Sequence, residues 1–392
     1  MAADARAVLL WSPELLGYDF GPGHPMSPLR LRLTMGLITA FGLLDDLDVV
    51  APEPASDELL RLVHEQAYID QVRAEDGAGP PYPWGIGDTD NPVFAGMHEA
   101  SSRVVGGTVA ATRAVWRGEA PRAVNPAGGL HHAMPSAASG FCVYNDIAVG
   151  IAAVLAEGAE RVLYVDVDAH HGDGVERAFW DDPRVLTVSI HQSGRSLFPG
   201  TGYPQDAGGP RARGSAANIA LPPRTSDAAW LRALDAVVGP LVEEWRPQLV
   251  VSQHGADAHH RDPITDLDIS VDAQRAAAIM IRGWADEHCE GRWVATGGGG
   301  YDVVSTVPRV WTHLAAVVAG RPIDPTAPVP ESWLAQVHEL LGEDGPAAMT
   351  EGRPATFRRW EDGYDPGDPV DRAVLATRRA VFPEHGLDPQ LV

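Results

Sequence analysis

Tyr164-Val165-Asp166-Val167-Asp168-Ala169-His170-His171-Gly172-Asp173-Gly174 is the stretch whose reading decides the fold. It continues the apolar pair Val162-Leu163 and ends in alternating Asp-x-Asp-x-His. Such a run predicts a strand buried on both faces whose carboxyl end carries ionisable groups. In an extended chain alternate residues share a side, so Asp166, Asp168 and His170 point the same way. Burying those groups is costly unless they are paired or bound to a cation. Asp168 and His170 offer one oxygen and one nitrogen, a donor set that suits Zn2+, although an Asp–His pair without metal would also satisfy the pattern. A second apolar run with the same kind of ending weakens that alternative. Leu249-Val250-Val251-Ser252-Gln253 leads through His254-Gly255-Ala256 to Asp257, a candidate third ligand. Three protein ligands leave one position open, the catalytic arrangement, where zinc brings the pKa of water to about 7.

Working outward, short β-branched runs alternate with longer Ala/Leu-rich stretches of helical period, the pattern of βαβ units and a parallel sheet. Strands are expected at Ala7–Trp11, Val162–Val167, Val185–His191, Leu249–Gln253 and Trp293–Thr296. Helices are expected at Pro28–Phe41, Asp57–Val72, Gly96–Trp116, Asp146–Glu157, Ala228–Glu244, Val271–Glu287 and Val307–Ala319. The fold class is therefore α/β, an open parallel sheet flanked by helices on both faces, over residues 1–320. After Gly320 the proline-rich connector Arg321–Pro330 opens an acidic, Pro/Gly-rich extension, 321–392, packed on the domain. Its short helices are expected at Glu331–Leu341 and Pro369–Val381. In open parallel sheets ligands bind outside the carboxyl ends of the strands, so clusters far apart in sequence should converge there.

Two further clusters carry groups suited to catalysis. Gly128-Gly129-Leu130-His131-His132 leads to Ser139-Gly140-Phe141-Cys142. Two adjacent histidines can face one pocket if the backbone bends, and each then wants a carboxylate to fix its tautomer. Asp166 and Asp173 are the natural partners. The run Thr296-Gly297-Gly298-Gly299-Gly300-Tyr301 permits a tight turn close to a ligand. It lacks the Lys-Ser/Thr ending of a phosphate loop, and its tyrosine could donate to an oxyanion.

Composition excludes several classes. The chain of 392 residues carries 53 acidic against 30 basic side chains, a formal charge of −23 that repels phosphate backbones and argues against nucleic acid. All the basic residues are arginine. No apolar run is long enough to span a bilayer, and the start Met1-Ala2-Ala3-Asp4-Ala5-Arg6 lacks the layout of a signal peptide. With only Cys142 and Cys289, the chain reads as cytoplasmic. Cys142 reads as a small buried thiol, and His171 as structural. His64, His98, His288, His313 and His338 read as packing or surface residues, and His259 and His260 as solvated loop residues. Trp116, Trp230, Trp245, Trp284 and Trp311 are expected in the core.

In this order the four clusters closely resemble the zinc-dependent histone deacetylase family over roughly Gly23 to Val318. Two further matches are Gly23-His24-Pro25-Met26-Ser27-Pro28-Leu29-Arg30 and Leu197-Phe198-Pro199-Gly200-Thr201-Gly202. Gly85-Ile86-Gly87-Asp88-Thr89-Asp90-Asn91-Pro92 and the acidic tail look most like its bacterial acetoin-utilisation (AcuC-type) branch. The resemblance implies a single domain of arginase/deacetylase type. It implies hydrolysis of Nε-acetyl-lysine in proteins, with acetyl-CoA synthetase-like enzymes as leading substrates. Asp168, His170 and Asp257 would hold one zinc ion. His132 would be general base and acid, supported by Asp173, with His131 and Asp166 beside it and Tyr301 polarising the carbonyl. Gly140, Phe141 and Phe198 would form a narrow tunnel, with Gly299 and Ile264 also contacting substrate and Asp90 binding backbone amides at the rim. Arg30 would line an inner channel. A potassium ion would take Asp166, Ser189 and the carbonyls of Asp168, His170 and Ile190.

The rivals differ in chemistry. A binuclear manganese ureohydrolase of the arginase fold needs carboxylates where this chain has Gly172 and His259. An acetylpolyamine amidohydrolase shares the zinc site and differs at the mouth. A non-catalytic acetyl-lysine binding module is disfavoured because every expected catalytic position is filled.

Overall fold

The apolar runs lie side by side in one eight-stranded sheet, all parallel, seen in a computed structural model that describes residues 5–77 and 79–391. The strands are β1 (Ala7–Leu10), β2 (Leu47–Val50), β3 (Arg122–Asn125), β4 (Val162–Asp166), β5 (Val185–Gln192), β6 (Ala216–Leu221), β7 (Leu249–Gln253) and β8 (Trp293–Thr296). Their order across the sheet is β2-β1-β3-β8-β7-β4-β5-β6. The start Met1–Asp4 lies outside the described residues. No helix among the described residues is long and apolar enough to cross a membrane.

Alternation along the central strands explains why they are apolar throughout. Leu163 and Val165 of β4 and Val250 of β7 enter one core, with helices Leu29–Ala40, Asp227–Trp245, Val271–His288 and Val307–Ala319. Val162, Tyr164, Leu249 and Val251 enter the other, under Asp146–Ala156 and Asp173–Phe179. A strand covered on both faces has no solvent side to be polar.

Residues after 320 share the larger core. Trp333 is fully buried and donates its indole N–H to the Leu33 carbonyl at 2.8 Å. Asp371, in the helix Pro369–Val381, takes a bidentate pair from buried Arg232 at 2.7 and 3.0 Å. Arg232 also lies over the Trp360 ring.

Several expectations need correction. The expected helix Asp57–Val72 is two helices, Asp57–Leu60 and Gln66–Ala74. The second starts after Glu65, whose N–H bonds to the Pro135 carbonyl, so a tertiary contact replaces the helical bond there. Strands β2, β3 and β6 were not expected: β2 is a mostly exposed edge, and Ala216-Ala217-Asn218 carries little strand propensity. Trp230 and Trp311 are core residues, but Trp116, Trp245 and Trp284 are only half-buried.

Candidate active site

The four sequence clusters follow β3, β4, β7 and β8, which are contiguous in the sheet as β3-β8-β7-β4. Parallel pairing puts all four carboxyl ends on one edge, so the clusters meet although they are spread from Gly128 to Tyr301.

Asp168, His170 and Asp257 are all buried, and each offers a ligand atom within 4.8 Å of the others. His170 Nδ1 lies 3.1 Å from Asp168 Oδ1 and 3.0 Å from Asp257 Oδ2. The remaining carboxylate oxygens are tied back by the protein. Asp168 Oδ2 accepts from Gln253 Nε2 at 2.7 Å and the Gly299 N–H at 2.9 Å, and Asp257 Oδ1 accepts the Ala169 N–H at 2.9 Å. The backbone reaches this close because two positions lack side chains. A Cβ would stand 1.9 Å from Asp168 Oδ2 at Gly255, and 2.0 Å from Asp257 Oδ2 at Gly299.

The charges of this cluster favour a cation. Burial alone would lower the His170 imidazole, yet Asp168 and Asp257 lift it to about 10. Neither carboxylate pairs with an arginine among the described residues; their ion-pair partners are histidines. Two buried carboxylates and an imidazole, held by donors that leave one oxygen of each acid facing inward, fit Zn2+. They form the single three-residue ligand group among the described residues, whereas a second ion would need carboxylates at Gly172 and His259.

Beside this cluster stand two imidazoles, each backed by a carboxylate. His131 Nδ1 donates to Asp166 Oδ2 at 2.8 Å, and Asp166 is fixed by the Tyr164 hydroxyl at 2.6 Å. His132 Nδ1 donates to Asp173 Oδ1 at 2.7 Å, and the two Nε2 atoms are 3.0 Å apart. Burial would lower His131, but Asp166 and Asp168 raise it to about 9. Burial and the neighbouring His131 push His132 down to about 4 against the pull of Asp173. The pair is thus split into a proton-rich and a proton-poor imidazole. The preceding turn is pinned by buried Asp146, which accepts the N–H groups of Gly129 and Leu130.

A narrow cavity opens onto these groups, lined by Met26, Gly140, Phe141, Gly299 and Tyr301 among others. Phe141 packs edge-on to Tyr301 at 5.7 Å, and half-exposed Phe198 stands 5.0 Å from the His132 ring. Asp90 and Ile264 are exposed, and the Asp90 carbonyl accepts from His24 at 3.1 Å. Arg30 is buried behind Tyr301 and donates to the carbonyls of Gly298 and Gly300. Ser189 pairs in register with Asp166, next to Ile190, but its hydroxyl bonds to His191 at 2.8 Å. Cys142 lines the cavity, and burial raises its thiol.

Residues 24–318 match the histone deacetylase domain. The acetoin utilization protein AcuC of Bacillus subtilis is 41% identical over 95% of this chain and 94% of its own length. The chain belongs to the histone deacetylase family. The AcuC protein of Staphylococcus aureus is 34% identical over 91% of this chain and 90% of its own. A crystal structure of a histone deacetylase homolog complexed with SAHA, 28% identical, superposes with a TM-score of 0.82 over 95% of this chain and all of that one. This histone deacetylase domain is therefore a hydrolase of the deacetylase type with an AcuC-type sequence.

Sequence reading missed three supports of the deacetylase site. Gln253 holds Asp168 and Gly255 at once, but glutamine at a strand end carries no signal of its own. Asp262 is buried and accepts the Tyr301 N–H at 2.8 Å; burial and Asp257 raise its pKa to about 8. His259 is a correction: expected in solvent, it is fully buried, with Nδ1 3.0 Å from Thr306 Oγ1. The isolated bridge to Ile269 folds its loop inward.

Proposed function

We propose that the protein is a zinc-dependent deacetylase that hydrolyses Nε-acetyl-lysine in proteins or peptides, with Asp168, His170 and Asp257 holding one zinc ion. The observation that carries this reading is the doubled His–carboxylate arrangement beside the Asp–His–Asp cluster, at the base of a narrow cavity walled by Phe141. Zinc, when bound, supplies Lewis acidity for the acyl carbonyl and for a water. The neutral His132, its Nδ1 proton fixed on Asp173, accepts a proton at Nε2 from the attacking water and returns it to the leaving amine. His131, kept charged by Asp166, supplies positive charge beside that transfer. The Tyr301 hydroxyl, with no hydrogen-bond partner among the described residues, is free to donate to the carbonyl oxygen as it gains charge.

Phe141, Phe198 and Gly140 grip the lysine methylenes, Gly299 and Ile264 border the acyl group and the mouth, and Asp90 accepts substrate N–H groups at the rim. Arg30 lines the inner channel. A potassium ion takes Asp166, Ser189 and the carbonyls of Asp168, His170 and Ile190. Residues 1–320 act as the catalytic unit and 321–392 as an extension docked on it. The AcuC relatives are named for acetoin utilization, which supports acetylated metabolic enzymes, such as acetyl-CoA synthetase, as substrates. The test is release of acetate from an acetyl-lysine peptide and from acetylputrescine, with and without a chelator. Peptide turnover that chelation abolishes and zinc restores is expected. Preference for acetylputrescine would replace the substrate, and chelator-resistant turnover would remove the metal.

A further inference from the structure

We propose that Glu351, beyond the end of the deacetylase domain at residue 318, is a positioning residue that holds the loop Asp257–Asp262 and hence both Asp257 and Tyr301. The loop has two working ends. Asp257 Oδ2 faces His170 at 3.0 Å, and Asp262 Oδ2 accepts the Tyr301 N–H at 2.8 Å. Between them the buried His259 points away from the cavity. Its Nδ1 lies 3.2 Å from the Arg261 N and 3.0 Å from Thr306 Oγ1, and Nε2 faces the Glu351 carboxylate at 3.6 Å, beyond hydrogen-bond reach.

Glu351 is itself fixed. Oε1 pairs with Arg309 Nη2 at 2.5 Å, Oε2 accepts the Val271 N–H at 2.7 Å, and its own N–H donates to Asp272 at 2.9 Å. The extension thus seats a carboxylate between the starts of two core helices and aims it at the outer side of the loop. Burial alone would raise that carboxyl, but His259 and Arg309 bring it to about 2, so it is charged at neutral pH. Removing the charge takes away the carboxylate that faces His259 Nε2 and anchors Arg309 and the Val271 N–H, and lets the loop shift. A misplacement of about 1 Å at a catalytic site costs on the order of 100-fold in rate.

The proposal rests on the reading of Asp257 and Tyr301 given above. The experiment uses the full-length zinc-loaded chain and an acetyl-lysine peptide. Glu351→Gln should lower kcat at least about tenfold at saturating zinc, with KM within about twofold. His259→Asn keeps an acceptor for the Arg261 N–H and removes only the arm that faces Glu351, so it should lose as much. The double variant should lose no more than either single one. Arg353→Ala cuts the partly exposed contact of the extension with Asp268 and should leave kcat unchanged.

Wild-type kcat in Glu351→Gln overturns the proposal. So do losses that multiply in the double variant, or an equal loss in Arg353→Ala, which would make the effect one of docking alone. If Glu351→Gln does not fold, His259→Asn decides, because its Glu351–Arg309 pair is intact. The underlying reading fails separately, if Asp257→Asn and Tyr301→Phe keep full activity.

Discussion

Adding one methyl group at Gly299 should strip the site of its metal. The new Cβ would stand 2.0 Å from Asp257 Oδ2 and 2.9 Å from Asp168 Oδ2. Ordinary contact begins at 3.4 Å, so the Asp257 carboxylate must retreat by about 1.4 Å. Metal–ligand distances tolerate about 0.2 Å, so the retreat amounts to loss of a ligand. Disturbing the groups that merely orient ligands weakens metal binding about 10–100-fold, and loss of a ligand should cost at least the upper end of that range. Gly299 is not in the left-handed backbone region, so alanine brings no backbone strain with it. For Gly299→Ala a competing chelator should therefore read zinc affinity at least about 100-fold weaker. Zinc affinity within about threefold of wild type would refute the argument, because the carboxylates would then not be pinned where the cluster needs them.

Tyr301→Phe removes one donor from the reacting carbonyl and should cut turnover about 100–1,000-fold with zinc content unchanged; near-normal turnover would take Tyr301 out of the mechanism. Asp173→Asn frees the tautomer of His132 and should lower kcat by about 100-fold or more, with KM little changed, in steady-state assays; a loss below about threefold would show that His132 needs no carboxylate. Asp371→Ala leaves the buried Arg232 charge without its bidentate partner and should destabilise the chain by about 3–5 kcal/mol in denaturant unfolding. A change under about 1 kcal/mol would mean that the carbonyls of Arg358, Arg359 and Gly363, which also accept from Arg232, already satisfy the arginine.

The central strands were legible because burial on both faces leaves an unbroken apolar run, as in Val162–Val165 and Leu249–Val251. Edge and alanine-rich strands were not, since β2 is mostly exposed and β6 is set by pairing with β5 rather than by its composition. The chemistry-bearing residues could be picked out because ionisable groups at the ends of apolar runs are conspicuous. What holds them was hidden. Gln253, Asp262 and Glu351 each accept a backbone N–H group, and no local pattern distinguishes them from solvated polar residues. His259 was misread for the same reason: a loop histidine becomes a buried brace only when a carboxylate from the remote extension meets it.

The order of strands also sets when, during folding, the metal cluster can exist. Asp168 and His170 follow β4, and the chain then adds β5 and β6 outward before β7 returns to the inner side of β4 with Asp257. Closing that long loop carries an entropic cost that nearby contacts cannot offset early, so β7 belongs among the later arrivals. Until it docks, the chain offers an ion only two of its three ligands. Tight metal capture would therefore be a property of the completed sheet, and an ion bound there would act as a thermodynamic latch that favours the finished fold over its precursors. Metal uptake followed in time during refolding would report the arrival of β7.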